Sequence, residues 1–297
     1  VDQIRGDLGL SDSSVGFLQG PAFTVVYVFA AVACGRIADR RKRRPLLMGG
    51  VVLWCSAAIT CGLAHRPFEL LLGRMLLGVG ESVLLPTTFS MIADAFPAER
   101  RGIANGTLIM STVVGGPLGI TVGGLLLTAA QAGTFAAWPL IGSLPPWRFV
   151  LVSVGLIGFA APILMLTIIE PARRQTGADG AEGAVSYLRS NRSRLWPLYG
   201  AMALLSIGDY GLVSWVPTAL SRHYAWLPSR TGVVFGVVTA MAGVAGSLLG
   251  GWMSDLAAAR GQSPARLSVS VVAAMFALLA AVSICLGSAN LVVAGLG

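Results

Sequence analysis

LLLGRMLLGVGESVLLPTTFSMIAD, residues Leu70 to Asp94, is a long apolar run that nevertheless carries Arg74 and Glu81. Seven residues make almost two helical turns, so the two side chains project from one face about 10 Å apart along the axis. A charge inside such a run is costly unless it faces a polar cavity or a partner. What surrounds this helix therefore decides both the fold and the role of the pair.

Of the 297 residues, 55% are hydrophobic and only 11% are charged, with a mean hydropathy of +0.76. A soluble domain carries about 25% charged residues. So few charges cannot cover a soluble surface, and the class that fits is an all-α, polytopic membrane protein. The 38 glycines suit close packing of transmembrane helices through small residues. The net charge of +8 raises a nucleic-acid reading. It fails, because the positive residues sit in short segments between apolar runs, where they set topology. Cys34, Cys55, Cys61 and Cys285 all lie within apolar runs and form no CxxC pair, so neither a disulfide framework nor a metal site is expected.

A spanning helix needs about 20 mostly apolar residues. Eight stretches qualify: 14–35, 46–64, 70–93, 103–130, 149–169, 196–220, 231–254 and 267–288. They are too long and continuous for barrel strands. Alternating the connections from a cytoplasmic 36–45 loop places fifteen of the 21 Lys and Arg residues inside and five outside, with Arg74 the remaining one. That asymmetry follows the positive-inside rule and supports the segmentation. The opening VDQIRGDLGLSDSS is polar and reads as a loop; with no initiator Met, the chain is expected to be a piece of a longer protein.

The polar segment rich in Ala, Gly, Arg and Ser at 170–195 reads as a cytoplasmic linker between two bundles. Residues 1–169 then form an N-terminal bundle and 196–297 the start of a second. An internal repeat supports this. GRIADRRKRR follows the first span and GGWMSDLAAARG follows the seventh, so Gly35 and Asp39 align with Gly251 and Asp255. Parallel repeats of this kind characterise one large transporter architecture.

The loop from Gly35 to Arg44 resembles the signature between helices two and three of the major facilitator superfamily, with Lys42 where the family usually has a second glycine. GRMLLGVGES followed by IADAFPAERRGIANG resembles the superfamily's fourth helix and the loop after it, in the Spinster-like group. PWRFVLVSVGLIG resembles the sixth helix. On that register the chain covers helices two to nine of twelve. The resemblance implies a secondary transporter with two bundles rocking around a mid-membrane site, and implies lysolipids or other amphiphilic anions as substrates. An organic-anion symporter of the same superfamily is the alternative, and a non-transporting scaffold or receptor is another class.

Glu81 is the candidate protonation site, with Arg74 modulating it or meeting an anionic substrate head; the alternative is a static buried ion pair. Asp209, with Tyr210, Ser214 and Trp215, offers charge, hydrogen bonding and an aromatic wall near mid-depth of its helix, or else a buried interhelical hydrogen bond. Gly35, Asp39, Arg40 and Arg43, with Gly251 and Asp255, read as a gating motif in which Asp caps a helix N-terminus and arginines pair across the bundle, or as topology anchors. The surplus basic residues meet anionic lipid. Gly115, Gly116, Pro117 and Gly119 lie in STVVGGPLGITVGG, where small residues permit close packing and proline kinks the helix. This stretch partly resembles the superfamily's Gly-Pro antiporter signature.

His65 and His223 read as solvated loop residues, and Trp138, Trp147 and Trp226 as interfacial anchors. No phosphate loop, nucleophile elbow or metal-spaced cluster is present, so neither an enzyme nor a cofactor is expected. The expected partners are membrane lipids, a small-molecule substrate and protons as coupling ion, in the plasma membrane (the inner membrane of a Gram-negative cell). Substrate, direction and number of protomers stay open.

Overall fold

The structure, a computed structural model, describes residues 2–139, 142–173, 186 and 188–259. The expected span at 267–288 and Cys285 lie outside the described residues. Every regular element among those described is helical. In chain order they are α1 (Asp2–Leu8), α2 (Asp12–Gln19), α3 (Pro21–Arg40), α4 (Arg43–Leu63), α5 (Pro67–Ser82) and α6 (Leu84–Ala95). Then come α7 (Ala98–Gln131), α8 (Pro146–Gly158), α9 (Ala160–Met165), α10 (Arg192–Tyr224) and α11 (Pro228–Ala259). Among the described residues, five continuous stretches are long and apolar enough to cross a membrane: Asp12–Arg40, Arg43–Leu63, Ile103–Gln131, Pro146–Met165 and Pro228–Gly246.

Three expected spans are bent rather than straight, and proline is the cause. Pro86 has no N–H for the carbonyl of Ser82, and α5 ends at Ser82. The Ser82 hydroxyl turns back to the Val79 carbonyl at 2.7 Å instead. Likewise Pro162 has no N–H for Gly158, where α8 ends. Pro21 opens α3 directly after the turn at Gly20. The 70–93 stretch is therefore two helices meeting at Val83.

The opening residues do not form the expected loop. Ile4 and Leu8 are one helical turn apart and, with Leu10, cover the cluster of Leu18, Cys61, Ala64 and Leu70. That apolar pair at i and i+4 makes α1 amphipathic despite its polar composition.

The chain divides into two compact units: residues 1–108 with 126–182, and residues 109–125 with 183–297. In the first, α4 lies against α5 and α8, and α3 lies against α5. Directions follow from the contacts. Gly73 meets Cys61 whereas Gly80 meets Trp54, so α4 and α5 are antiparallel. Gly62 meets Val152 whereas Gly158 meets Cys55, so α8 also opposes α4. Gly78 meets Phe23 and Ser82 meets Cys34, so α3 and α5 are parallel. This alternation gathers the basic ends of α3 and α4 at one end of the unit. In the second unit, residues 109–125 of α7 lie on α11: Thr121 Oγ1 donates to the Gly232 carbonyl at 3.1 Å, and Gly124 faces the Pro228 carbonyl.

Two tryptophans depart from the anchoring expectation. Trp147 and Trp226 are buried, Trp147 because its indole N–H is taken up by Asp7 at 3.2 Å and Trp226 under the Arg230 guanidinium, 4.4 Å from the ring centre. Trp138 is exposed as expected.

Candidate functional site

Arg74 and Glu81 lie about 20° apart around α5, at 100° per residue. Gly78, at the edge of the same face, stands against α3: a Cβ there would be 2.8 Å from the Phe23 carbonyl oxygen and 3.3 Å from the Tyr27 nitrogen. Gly73 and Gly80, at the other edge, stand against α4. The charged face thus points into the notch between α3 and α4. Leu72, Met75 and Leu76, on the far side of α5, are exposed, which is the pattern of a helix with its apolar back to lipid.

No ion pair joins Arg74 to Glu81, and neither pairs with another charge among the described residues. Arg74 Nε is buried without a hydrogen bond. The static ion pair left open by the sequence is therefore not formed here. Tyr27 lies on the stretch of α3 that faces Gly78 of α5. A tyrosine inside an apolar run is the sequence signal for this position.

At the basic end, Arg43 is the hub, 1% exposed. Its guanidinium donates to the Ser90 carbonyl at 3.0 Å, the Ser90 hydroxyl at 3.1 Å, the Pro171 carbonyl at 2.9 Å and the Asp94 carboxylate. Its backbone N–H, at the start of α4, donates to Glu170 Oε1 at 2.7 Å. A carboxylate at a helix N-terminus is favoured by the helix dipole. Arg173 closes the other side by donating to the carbonyls of Ala38, Asp39 and Arg41 at the end of α3. Burial pushes the Glu170 carboxyl up, but the N–H donors of Arg43 and Arg44 and the charges of Arg43 and Arg173 outweigh it and hold it below the usual range.

The other members of the loop motif are placed differently. Asp39 and Arg40 are exposed, and the Asp39 carboxylate caps no helix among the described residues. Gly35 is in ordinary contact with Pro86, 3.9 Å from where its Cβ would be. Gly251 and Asp255 fall in the C-terminal part of α11. The partners that sequence reading missed are Asp94 and Glu170; each lies far along the chain from Arg43, so no local spacing announces them.

In the second unit, Asp209, Tyr210 and Trp215 lie along exposed parts of α10, on the described surface. α7 runs unbroken through Pro117. A Cβ at Gly115, Gly116 or Gly119 would meet nothing within 4 Å among the described residues; α7 approaches α11 closely at Gly124 and at Pro117, whose carbonyl oxygen lies 2.7 Å from where a Cβ on Gly236 would stand.

A second polar cluster sits at the opposite end of the first unit from Arg43. Asp7 Oδ2 accepts from Arg148 Nε at 3.1 Å, Arg148 Nη2 at 2.9 Å and the Trp147 indole. Arg148 Nη1 reaches His65 Nδ1 at 3.4 Å.

Alternating apolar helices, a charged face turned into the bundle and a basic end tied by ion pairs define a polytopic helical membrane protein of the transporter kind. The chain belongs to the Major Facilitator Superfamily, whose description matches residues 1–297. It is 27% identical to an MFS-type efflux pump of Mycolicibacterium smegmatis over 88% of this chain and 58% of that protein. It is 24% identical to a probable L-galactonate transporter of Escherichia coli, over 92% and 60%. It is 25% identical to the sphingosine-1-phosphate transporter SPNS2 of Danio rerio, over 83% and 50%. Among solved structures, a bacterial homolog of the human lysosomal transporter Spinster, inward-facing and unoccupied, superposes with a TM-score of 0.74 at 28% identity, covering 87% of this chain and 58% of that one. The chain thus spans about half to three-fifths of the length of these relatives. The family and these relatives are transporters, not enzymes.

Proposed function

We propose that the protein of which this chain is part moves an organic anion across the membrane by alternating access, coupled to protons through Glu81. The observation that carries this is the α5 face: Arg74 and Glu81 point into the notch between α3 and α4 and have no charged partner among the described residues. Unpaired intramembrane charges mark pathways, because evolution rarely tolerates their desolvation without use. Arg74 is the contact for an anionic head group, since a guanidinium holds carboxylate or phosphate through paired N–H donors. Glu81 carries the proton, and movement between states changes how far it is desolvated.

Two relatives support an anionic substrate by name, one an L-galactonate transporter and one a sphingosine-1-phosphate transporter. Both anions suit Arg74. The Spinster-like relatives favour the amphiphilic one, a lysolipid or similar molecule; a sugar-acid symporter is the second reading. Asp209, Tyr210 and Trp215 are proposed to contribute the second bundle's polar and aromatic lining, and Asp39 and Arg40, with Gly251 and Asp255, to act in gating. Residues 1–169 and 196–297 are read as parts of two bundles joined by the 170–195 linker. The site of action is the plasma membrane, or the inner membrane of a Gram-negative cell.

Uptake of sphingosine 1-phosphate and of L-galactonate by the full-length protein in proteoliposomes, with and without a pH gradient, tests this. Gradient-stimulated uptake of either anion that is lost in Arg74→Ala and Glu81→Gln supports it. Uptake unaffected by both substitutions overturns it.

A further inference from the structure

The cluster of Asp7, His65, Trp147 and Arg148 takes no part in the transport reading, yet hydrogen bonds and a ring contact connect all four residues. It joins three pieces of chain. Asp7 belongs to α1, His65 to the turn between α4 and α5, and Arg148 to the first turn of α8. Arg148 is 5% exposed, and its guanidinium is stacked on the Trp147 ring at 4.7 Å. Three of its contacts are spoken for: Nε and Nη2 by Asp7, and Nη1 by His65.

The last contact is chemically one-sided. A guanidinium has donors and no acceptor, so His65 Nδ1 must carry a lone pair to receive it. The contact exists only for the neutral imidazole with its proton on Nε2. Protonating His65 replaces an acceptor by a second cation 3.4 Å from Arg148. The groups facing His65 are few: Arg148 from α8, Glu69 from α5, whose carboxylate accepts the His65 backbone N–H at 2.7 Å, the adjacent Arg66, and Asp7 of α1 through Arg148. Glu69 holds the turn from its backbone side, so the backbone stays in place while the ring changes charge.

We propose that this cluster is a pH-sensitive latch: neutral His65 completes the seat of Arg148 and holds α1 down through Asp7, and protonated His65 releases it. By the positive-inside assignment this end faces away from the cytoplasm, so the latch reads the pH there. Release reaches the bundle interior along a path of apolar contacts. Ile4 and Leu8 of α1 pack on the cluster of Leu18, Cys61, Ala64 and Leu70, and Leu77, which lies between Arg74 and Glu81 in the chain, packs on the same cluster. The latch is separate from proton coupling at Glu81 and stands or falls independently of it.

Amide hydrogen exchange of residues 2–8 in the purified full-length protein at pH 7.5 and 5.5, corrected for intrinsic exchange rates, tests the latch. Protection in the wild type falls at pH 5.5 by about tenfold or more, as expected for loss of one hydrogen bond to a charged group. His65→Gln, neutral at both pH values and able to accept, is equally protected at both. His65→Lys, a permanent cation, is poorly protected at both. Wild-type protection that is the same at both pH values, a pH difference that persists in His65→Gln, or full protection of His65→Lys at pH 7.5 overturns the proposal.

Discussion

Gly50 and Val83 touch so closely that a Cβ on Gly50 would stand 2.8 Å from the Cβ of Val83, and 2.9 Å from the Gly80 carbonyl oxygen. Val83 is the break between α5 and α6, so α4 is seated against the bend itself. Neither neighbouring atom is the free end of a flexible side chain, and the added methyl forces the helices apart. Gly50→Ala is expected to cost about 1–3 kcal/mol as overpacking. Gly49, next to it, has nothing within 4 Å. Gly49→Ala is expected to be neutral, or to stabilise by about 0.5–1 kcal/mol through the better helix propensity of alanine. Thermal unfolding of the two purified variants separates these outcomes.

Removing Arg43 takes away the buried guanidinium that Ser90, Asp94, Glu170 and Pro171 share. Arg43→Met is expected to destabilise the protein by about 3–5 kcal/mol, the usual cost of breaking one partner out of a buried ion-pair network. Arg43→Lys recovers little of it, because an ammonium cannot reach Ser90, Asp94 and Pro171 at once as the fork does. Denaturation midpoints of both variants against the wild type check this.

The lowered Glu170 carboxyl sets a direction for pH dependence. A depressed carboxyl contributes stability above its unfolded pKa and loses it as pH falls through the folded value. The contribution of the Arg43–Glu170 contact is therefore fully present at neutral pH and disappears below about pH 4, near the ordinary glutamate pKa. Melting curves of wild type and Glu170→Gln are expected to differ at pH 7 and to converge in that acidic range.

Tyr27 lies on α3 where that helix faces the charged stretch of α5. Tyr27→Phe keeps the ring stacked on Phe23, whose centre is 5.7 Å away, and removes only the hydroxyl. Proton-driven uptake is expected to fall several-fold, while unfolding stability stays within about 0.5 kcal/mol, as for substitutions that disturb no packing. A Glu81→Gln background is expected to abolish the effect if the hydroxyl acts on transport through Glu81, since residues acting as one unit are not additive.

Much of this was legible in the sequence for a physical reason. Long apolar runs and the basic residues between them predict helices that alternate in direction, and the α3, α4, α5 and α8 contacts alternate accordingly. The seven-residue spacing put Arg74 and Glu81 on one face, and the exposed Leu72, Met75 and Leu76 are on the other. What was not legible is of two kinds. Bends at Val83 and Phe159 follow from Pro86 and Pro162, which hydropathy averages over. Pairings such as Asp7 with Arg148 and Arg43 with Glu170 join residues more than 120 positions apart, and no local pattern encodes them.

The central claim is that Glu81 carries the coupling proton. The most direct measurement compares two modes of transport by full-length Glu81→Gln in proteoliposomes: exchange of labelled for unlabelled anion at equal pH, and accumulation driven by a pH gradient. The account predicts that exchange persists while gradient-driven accumulation is lost. Accumulation at the wild-type level in the same vesicles would contradict it.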